Sequence, residues 1–548
     1  MTQSEHGTSL HPAARTYVTD YEAGKLSRRE FMARTTALGI TAAGAYALIG
    51  ATPAKAEAHQ TMGGTLRMQI DVFALKDPRN YDLTQISYCV GWLEYLIEYN
   101  NDGTFTPRLL TSWEVNEDAT VYTLNVRQGV TWNDGTPFTA EDVAFNITRW
   151  CEADAEGNSM ASRMSALVDP ETNVAIEGAI VVVDEHTVQL NLPAPDITLI
   201  AGMADYPAAI VPQDFNPDTM WEDQKGTGPY RSEEHSVGIR SVLVRNEDHD
   251  WWGYEAGAGA YLDRIEFLDY GTDPIQWFTA AEAGEVDALY ETVGEFIDLF
   301  TDFGWQSSEV QTAATIVIRP NQRSEPLYAD KRVRQAIVKA VDNSVCLELG
   351  QSGRGTAAQN HHVAPVHPEY AEVDRLAYDP EAALALLEEA GAADHEFDIV
   401  SIDDDWRRNT TDAVAAQLRD AGFNVKRTVL PASTFWNDWV DYPFSATNWN
   451  HRPLGTQILG LAYRSGVPWN EFGFANEEFD ALLTEANSIA DADARSEVMA
   501  KLEAILVEEA VTIQPFWRSL FRHARPGTVG VEMHIAYLPQ FYKWSVEA

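Results

Sequence analysis

The sequence predicts a multi-domain α/β protein, and three observations carry that expectation. The chain has 548 residues, enough for two or three separately cored domains. Hydrophobic residues make up 45% and aromatic residues 11%, as in a globular chain rather than a disordered one. Strand-like and helix-like periodicities are interspersed along its length, the pattern that packs helices on sheets.

Bulk charge and cysteine usage narrow the class. A formal charge of −44 argues against nucleic acid or an anionic membrane as partner, because phosphates need Lys and Arg. An acidic, solvated surface that keeps an exported protein soluble accounts for it. Cys89, Cys151 and Cys346 are far apart and form no CxxC pair, so neither a disulfide framework nor a zinc–thiolate site is expected. They read as buried small apolar residues.

The N-terminus reads as an export signal. Ser27-Arg28-Arg29-Glu30-Phe31-Met32 follows a twin-arginine consensus, with Met in the usual place of Leu. A mildly apolar run, 38–51, follows, and Ala54-Lys55-Ala56 offers small residues ahead of a cleavage before Glu57. The run is too short and Gly-rich for a membrane span, which needs about 20 apolar residues. No cysteine marks a lipid anchor. Residues 1–56 are therefore expected to be a removable twin-arginine signal, handled by the twin-arginine translocase, ahead of a soluble periplasmic chain.

Taken in order, the mature chain begins with a strand over 64–70. Tyr81, Tyr88, Trp92, Tyr95 and Tyr99 follow, of which Trp92 and Tyr95 read as core. Asn101-Asp102-Gly103 is a turn. The stretch 112–143 is a small α/β unit: Tyr122, Leu124 and Val126 alternate with polar residues as in a half-buried strand, Asn133-Asp134-Gly135 forces a turn, and Thr139 with Asp142 starts a helix. Residues 181–192 alternate as a strand pair. Gly226-Thr227-Gly228-Pro229-Tyr230 lacks GxGxxG spacing and reads as a structural turn, not a phosphate cradle. Residues 315–321 are β-rich. Asp330 caps a helix whose Val333, Ala336, Ile337, Ala340 and Val341 form one apolar stripe. Asp379-Pro380 opens another helix that Gly391 stops. Two more helices are expected over 477–488 and 494–509, then an extended segment at Ile513-Gln514-Pro515-Phe516-Trp517.

Several of these stretches together resemble one family. Trp113-Glu114 and the run from Gly129-Val130-Thr131-Trp132 through Asn133-Asp134-Gly135-Thr136-Pro137-Phe138-Thr139-Ala140-Glu141-Asp142-Val143 are similar to the signature of the extracytoplasmic solute-binding proteins of family 5. Those are the oligopeptide, dipeptide and nickel-type receptors of ABC importers. Gly226 to Tyr230 with Asn246 and Trp251-Trp252-Gly253 resembles a second signature, and Ala283-Gly284-Glu285-Val286-Asp287 and Val333-Arg334-Gln335-Ala336-Ile337 follow in family order. The resemblance implies a two-lobed class II periplasmic binding protein, a flytrap with an extra subdomain inserted in the first lobe. It assigns 57–95, 216–315 and 515–548 to lobe I, 96–215 to the inserted subdomain, and 316–514 to lobe II. It also implies a monomeric receptor that closes on a small solute by hinge motion near 315–321 and Pro515. The solute then passes to a permease and ATPase complex, with no cofactor.

Enzyme motifs are absent: no HExxH, GxSxG, GxxxxGK[ST] or CxxC occurs. Gly350-Gln351-Ser352-Gly353-Arg354 has Arg where a nucleophile elbow closes with Gly. Asp403-Asp404-Asp405 lacks the spacing of a calcium loop and reads as a solvated strand end. His361, His362 and His367 read as exposed polar histidines, with metal ligation as the alternative. Ligand contacts are expected at Tyr88, Trp436, Trp449, Asn450, His451 and Arg452, since aromatic walls with a few polar groups make a solute site. In the family's peptide receptors this region holds Trp-x-x-Asp, whose carboxylate pairs with the peptide ammonium. Here Arg452 stands in place of that Asp, which disfavours ordinary peptides. Arg452 either binds an anionic group of the solute or pairs with Asp438 or Asp441. A metal-chelate or haem receptor and a periplasmic hydrolase remain the alternative functions.

Overall fold

The computed structural model describes residues 11–51, 60–80, 86–89 and 91–547. The chain divides into two compact units. One takes the described parts of Met1–Glu291, Phe300–Ser308 and Arg522–Ala548; the other takes Thr292–Leu299 and Glu309–Phe521. Two long strands, Gln306–Pro320 and Phe516–Ala524, each begin in one unit and end in the other. The first is longer than the β-rich stretch 315–321 seen in sequence. Its leading end, Gln306-Ser307-Ser308-Glu309, is polar and largely exposed, so it carries no hydrophobic signal.

In the first unit the strands Ala288–Leu289, Thr65–Gln69, Arg264–Leu268, Arg240–Arg245 and Tyr230–Ser236 lie in that order. The first three are parallel and the last two join antiparallel. Leu66, Met68, Trp92, Leu243 and Phe267 belong to its core. The Gly-Thr-Gly-Pro-Tyr turn is structural: a Cβ on Gly226 or Gly228 would strike the backbone at Trp92 or Gly91. Instead Gly228 N donates to Trp92 O and Tyr230 N to Gly91 O, both at 2.9 Å. The next signature residues, Trp251 and Trp252, donate their indole N–H groups to buried Glu94. Within the aromatic stretch 77–99 a short helix, Ile86–Cys89, is formed, and Tyr81 lies outside the described residues.

A separate antiparallel sheet in this unit runs Leu110–Val115, Val121–Val126, Thr187–Asn191, Ile180–Asp184. Tyr122, Leu124 and Val126 are its buried face, as their alternation predicts. Helix Ala140–Trp150 packs on it, started by Thr139, whose backbone N–H donates to Asp142 Oδ2 at 2.9 Å. Ahead of these elements, Pro12–Glu22, Arg28–Ala37 and Ala42–Leu48 form three short helices with a core of their own. The Ala54-Lys55-Ala56 segment lies outside the described residues. Among the described residues no helix is long and apolar enough to cross a membrane.

In the second unit Asn424–Leu430, Glu396–Ile402, Phe444–Trp449 and the inner part of Gln306–Pro320 are adjacent in that order. Helices Lys331–Lys339, Pro380–Glu389, Asp405–Asp420, Glu477–Asn487 and Ala492–Glu508 accompany them. Four of these five start on an Asp N-cap: Asp330, Asp379, Asp404 and Asp491. Two expectations change for that reason. Asp404 is not part of a solvated loop but accepts from Arg407 N at 3.1 Å. The last helix begins at Ala492, not 494, because Asp491 accepts from Ala494 N at 2.9 Å. The Gly350 to Arg354 run is the end of helix Asn343–Gln351, with Ser352 and Gly353 at positive φ. None of the three cysteines is in a disulfide and all are buried; burial pushes the Cys151 and Cys346 thiols up to about 12.

Candidate functional site

The residues singled out in sequence, Tyr88 apart, lie on or near one strand of the second unit. Phe444–Trp449 pairs antiparallel with the long strand, Trp449 opposite Thr315. Its inner face is fixed by Glu471, which is fully buried. One Glu471 oxygen accepts from Thr447 Oγ1 at 2.5 Å and Trp449 Nε1 at 2.7 Å; the other accepts from Arg319 Nε at 2.9 Å. Arg319 sends its remaining nitrogens to Tyr442 O at 2.5 Å and Trp439 O at 2.7 Å. Burial pulls the Arg319 guanidinium down, and the Glu471 charge opposes this.

Four indoles extend from this anchor. Trp449 meets Trp439 and Trp469 edge-on at 6.1 and 5.9 Å, and Trp436 meets Trp439 at 6.0 Å. Trp436 is 40% exposed whereas Trp449 is 4% exposed, so the row runs from buried base to open end. It supplies a stiff apolar wall with an aromatic face presented outward. Trp469 and Glu471 were not among the expected site residues. A lone acid inside the aromatic stretch Trp469-Asn470-Glu471-Phe472 is the only cue the sequence offers.

Beyond Trp449 the chain turns through Asn450, which is half-buried, to His451 and Arg452, which are 2% and 3% exposed. His451 Nδ1 accepts from Ala313 N at 3.2 Å. Arg452 donates from Nη1 to its neighbour's carbonyl, His451 O, at 3.0 Å. Asp438 and Asp441 are exposed, unlike the buried Arg452. Tyr88 lies in the short helix Ile86–Cys89 of the first unit, and its side chain is outside the described residues. Trp436, Trp449, Asn450, His451 and Arg452 thus share one region of the second unit, whereas Tyr88 belongs to the first.

The three histidines of the neighbouring loop are a correction. They were expected to be exposed, yet His361, His362 and His367 are 0%, 1% and 3% exposed. The loop carries Val363 and Ala364 between them, and these apolar residues draw it into the core. His367 Nδ1 accepts from Ala364 N at 3.0 Å, so Nε2 carries the proton and donates to Arg452 O at 3.0 Å. The Tyr463 hydroxyl lies 3.1 Å from His362 Nδ1. His361 packs against the rings of Tyr370 and Trp517, with Glu503 Oε2 3.6 Å from its Nδ1. Burial holds all three imidazoles neutral, pulling His361 down to about 4. Burial also pushes the Glu503 carboxyl well above the usual carboxylate range, with nearby Glu369 adding to it. Among the described residues no group of three or more His, Cys, Asp or Glu is placed to hold a metal ion.

A pH dependence follows. His361 binds its proton less readily folded than unfolded, so its contribution is full above about 6.5 and is lost as pH falls towards about 4. His361→Phe should remove about 3 kcal/mol of the acid-dependent part of stability over that window. Denaturant titrations at pH 7 and pH 4.5 check this; an unchanged pH slope in the variant would refute it.

These geometries define a class first: an α/β protein built on the two-lobed periplasmic binding-protein fold, with an aromatic wall on its second unit. The chain belongs to the bacterial extracellular solute-binding proteins, family 5, whose middle-region model matches residues 104–465. Heme-binding protein A of Haemophilus influenzae is 26% identical over 462 residues, covering 76% of this chain and 79% of that protein. Two solved structures share the fold. Haemophilus influenzae OppA in complex with RPPGFSPFR is 19% identical with a TM-score of 0.79, over 89% of this chain and 100% of that one. AgaA in complex with agropinic acid, from Agrobacterium tumefaciens R10, is 20% identical with a TM-score of 0.76, over 88% and 99%. The chain is accordingly the solute receptor of an ABC importer, working with a permease and an ATPase.

Proposed function

We propose that the receptor captures a small polar solute bearing an anionic group, and that no bond is made or broken in doing so. The observation that carries this reading is Arg452, a buried arginine three residues after Trp449, where the family's peptide receptors carry a carboxylate by resemblance. Its planar fork suits a carboxylate, phosphate or sugar-acid group. Trp436, Trp449, Asn450 and His451 would supply the wall and further hydrogen bonds. In this reading 57–95, 216–315 and 515–548 form lobe I, 96–215 its inserted subdomain, and 316–514 lobe II. That AgaA holds an acid on the same fold is in keeping with the proposal. The test is to incubate the monomeric protein with sugar acids, N-acetylated peptides and free dipeptides while following melting temperature and solute mass. A stabilising, chemically unchanged acid supports the reading; turnover of any solute overturns it.

Haem is the second reading, favoured by the identity to heme-binding protein A. The inward, protein-packed histidines offer it no outward imidazole. Titration with haemin would show a shifted, saturable absorbance band if haem were the solute.

Residues 1–56 are read as a twin-arginine leader directing the chain to the periplasm. Replacing Arg28 and Arg29 together by Lys should leave uncleaved precursor in the cytoplasm. Undiminished periplasmic yield would disprove that route.

A further inference from the structure

The N-terminal helices are held to the rest of the chain by specific contacts. Tyr17, Phe31, Met32 and Ala45 form their shared core. Helix Arg28–Ala37 begins at Ser27, which accepts from Glu30 N at 3.2 Å while Glu30 Oε2 accepts from Ser27 N at 2.7 Å. Its far end reaches the inserted subdomain. Phe105 N donates to Thr36 Oγ1 at 3.1 Å. Gly39, at φ +85°, lies so close to strand Leu110–Val115 that a Cβ there would strike the Trp113 carbonyl. A Cβ on Gly103 would sit 3.1 Å from the Ala33 Cβ. Thr36 and Phe31 are fully buried, and Met32 is 2% exposed.

The burial divides the export consensus in two. Ser27, Arg28, Arg29 and Glu30 are exposed, whereas Phe31 and Met32 point into the helical core. We propose that the leader docks as a folded cover on the inserted subdomain of its own chain and withholds the Phe31–Met32 half of the consensus from the translocase until the cover opens. Opening requires loss of the Thr36, Gly39 and Ala33 contacts. His11 near Asn116 and Glu117 must be released as well; these contacts are local, so the cover opens more readily than the domain beneath it unfolds. The proposal rests on reading residues 1–56 as a leader.

The test uses the purified full-length chain. Ala33→Cys with Gly103→Cys places two thiols within disulfide reach only when the leader is docked. Oxidation should then close the bond in most molecules, whereas an Ala33→Cys/Gly238→Cys pair, on a different loop, should not. Gly39→Val, which the Trp113 carbonyl and the positive φ both oppose, should be cut by trypsin in the leader at least about ten-fold faster than wild type, with the melting temperature of the rest unchanged. In pulse–chase export Gly39→Val should be processed faster than wild type. Failure of the Ala33→Cys/Gly103→Cys variant to form its disulfide, equal trypsin rates, or equal export rates would each overturn the proposal. If Arg28 and Arg29 prove dispensable for export, the leader reading falls instead, while the disulfide still scores docking.

Discussion

Replacing Glu471 by alanine is expected to lower the unfolding free energy by about 3–5 kcal/mol, because it strands a buried cation. Arg319 and Glu471 are both fully buried, and Glu471 also accepts from Thr447 and Trp449. Without the carboxylate, the guanidinium keeps its two carbonyl partners, Tyr442 and Trp439, but has lost its counter-charge. Burial alone already disfavours its charged form. The pair Lys331–Glu508, with its acid exposed, offers the contrast: solvent and salt screen it, so Glu508→Ala should leave the unfolding midpoint nearly unchanged. Urea unfolding followed by tryptophan fluorescence reads both variants. Glu471→Gln should fall between, since an amide oxygen still accepts. The double replacement Arg319→Met with Glu471→Leu should recover much of the single-mutant loss, because it removes both charges rather than one. A loss below about 1 kcal/mol for Glu471→Ala would mean that the pair only shapes the wall.

The sequence announced the elements whose stability is local. Helix Lys331–Lys339 shows its cap and stripe directly, and strand Val121–Val126 shows its alternation. What it concealed was set by distant packing. The polar start of Gln306–Pro320 pairs as a strand only because a neighbouring chain segment is present. The histidines at 361, 362 and 367 look polar in a Gly/Ala-rich loop, and only tertiary contacts with Tyr463, Trp517 and the Arg452 carbonyl show them buried. Trp449 and Arg452 are expected solute contacts because a family pattern marks their positions. Glu471, 22 residues beyond Trp449, carries no such mark, though it decides how Trp449 is held.

Arg452→Ala is expected to weaken binding of an anionic solute by about 2–5 kcal/mol, or roughly thirty- to several-thousand-fold in Kd, since a desolvated anion loses its partner. Arg452→Lys should restore only part, because an ammonium cannot reproduce two parallel hydrogen bonds. The competing outcome is that Arg452 is structural. It is 3% exposed, and its backbone carbonyl accepts from His367 while Nη1 donates to His451 O. The two roles separate in one experiment: melting of the solute-free variants reports the structural part, and calorimetric titration with the acid that stabilises wild type reports the binding part. A ligand role gives near-wild-type melting with lost affinity. A structural role gives lowered melting with affinity retained in whatever remains folded. The anionic assignment itself fails if dipeptide amides, which keep the ammonium group and lack the carboxylate, bind wild type tightly, because a buried guanidinium and an ammonium repel at close range.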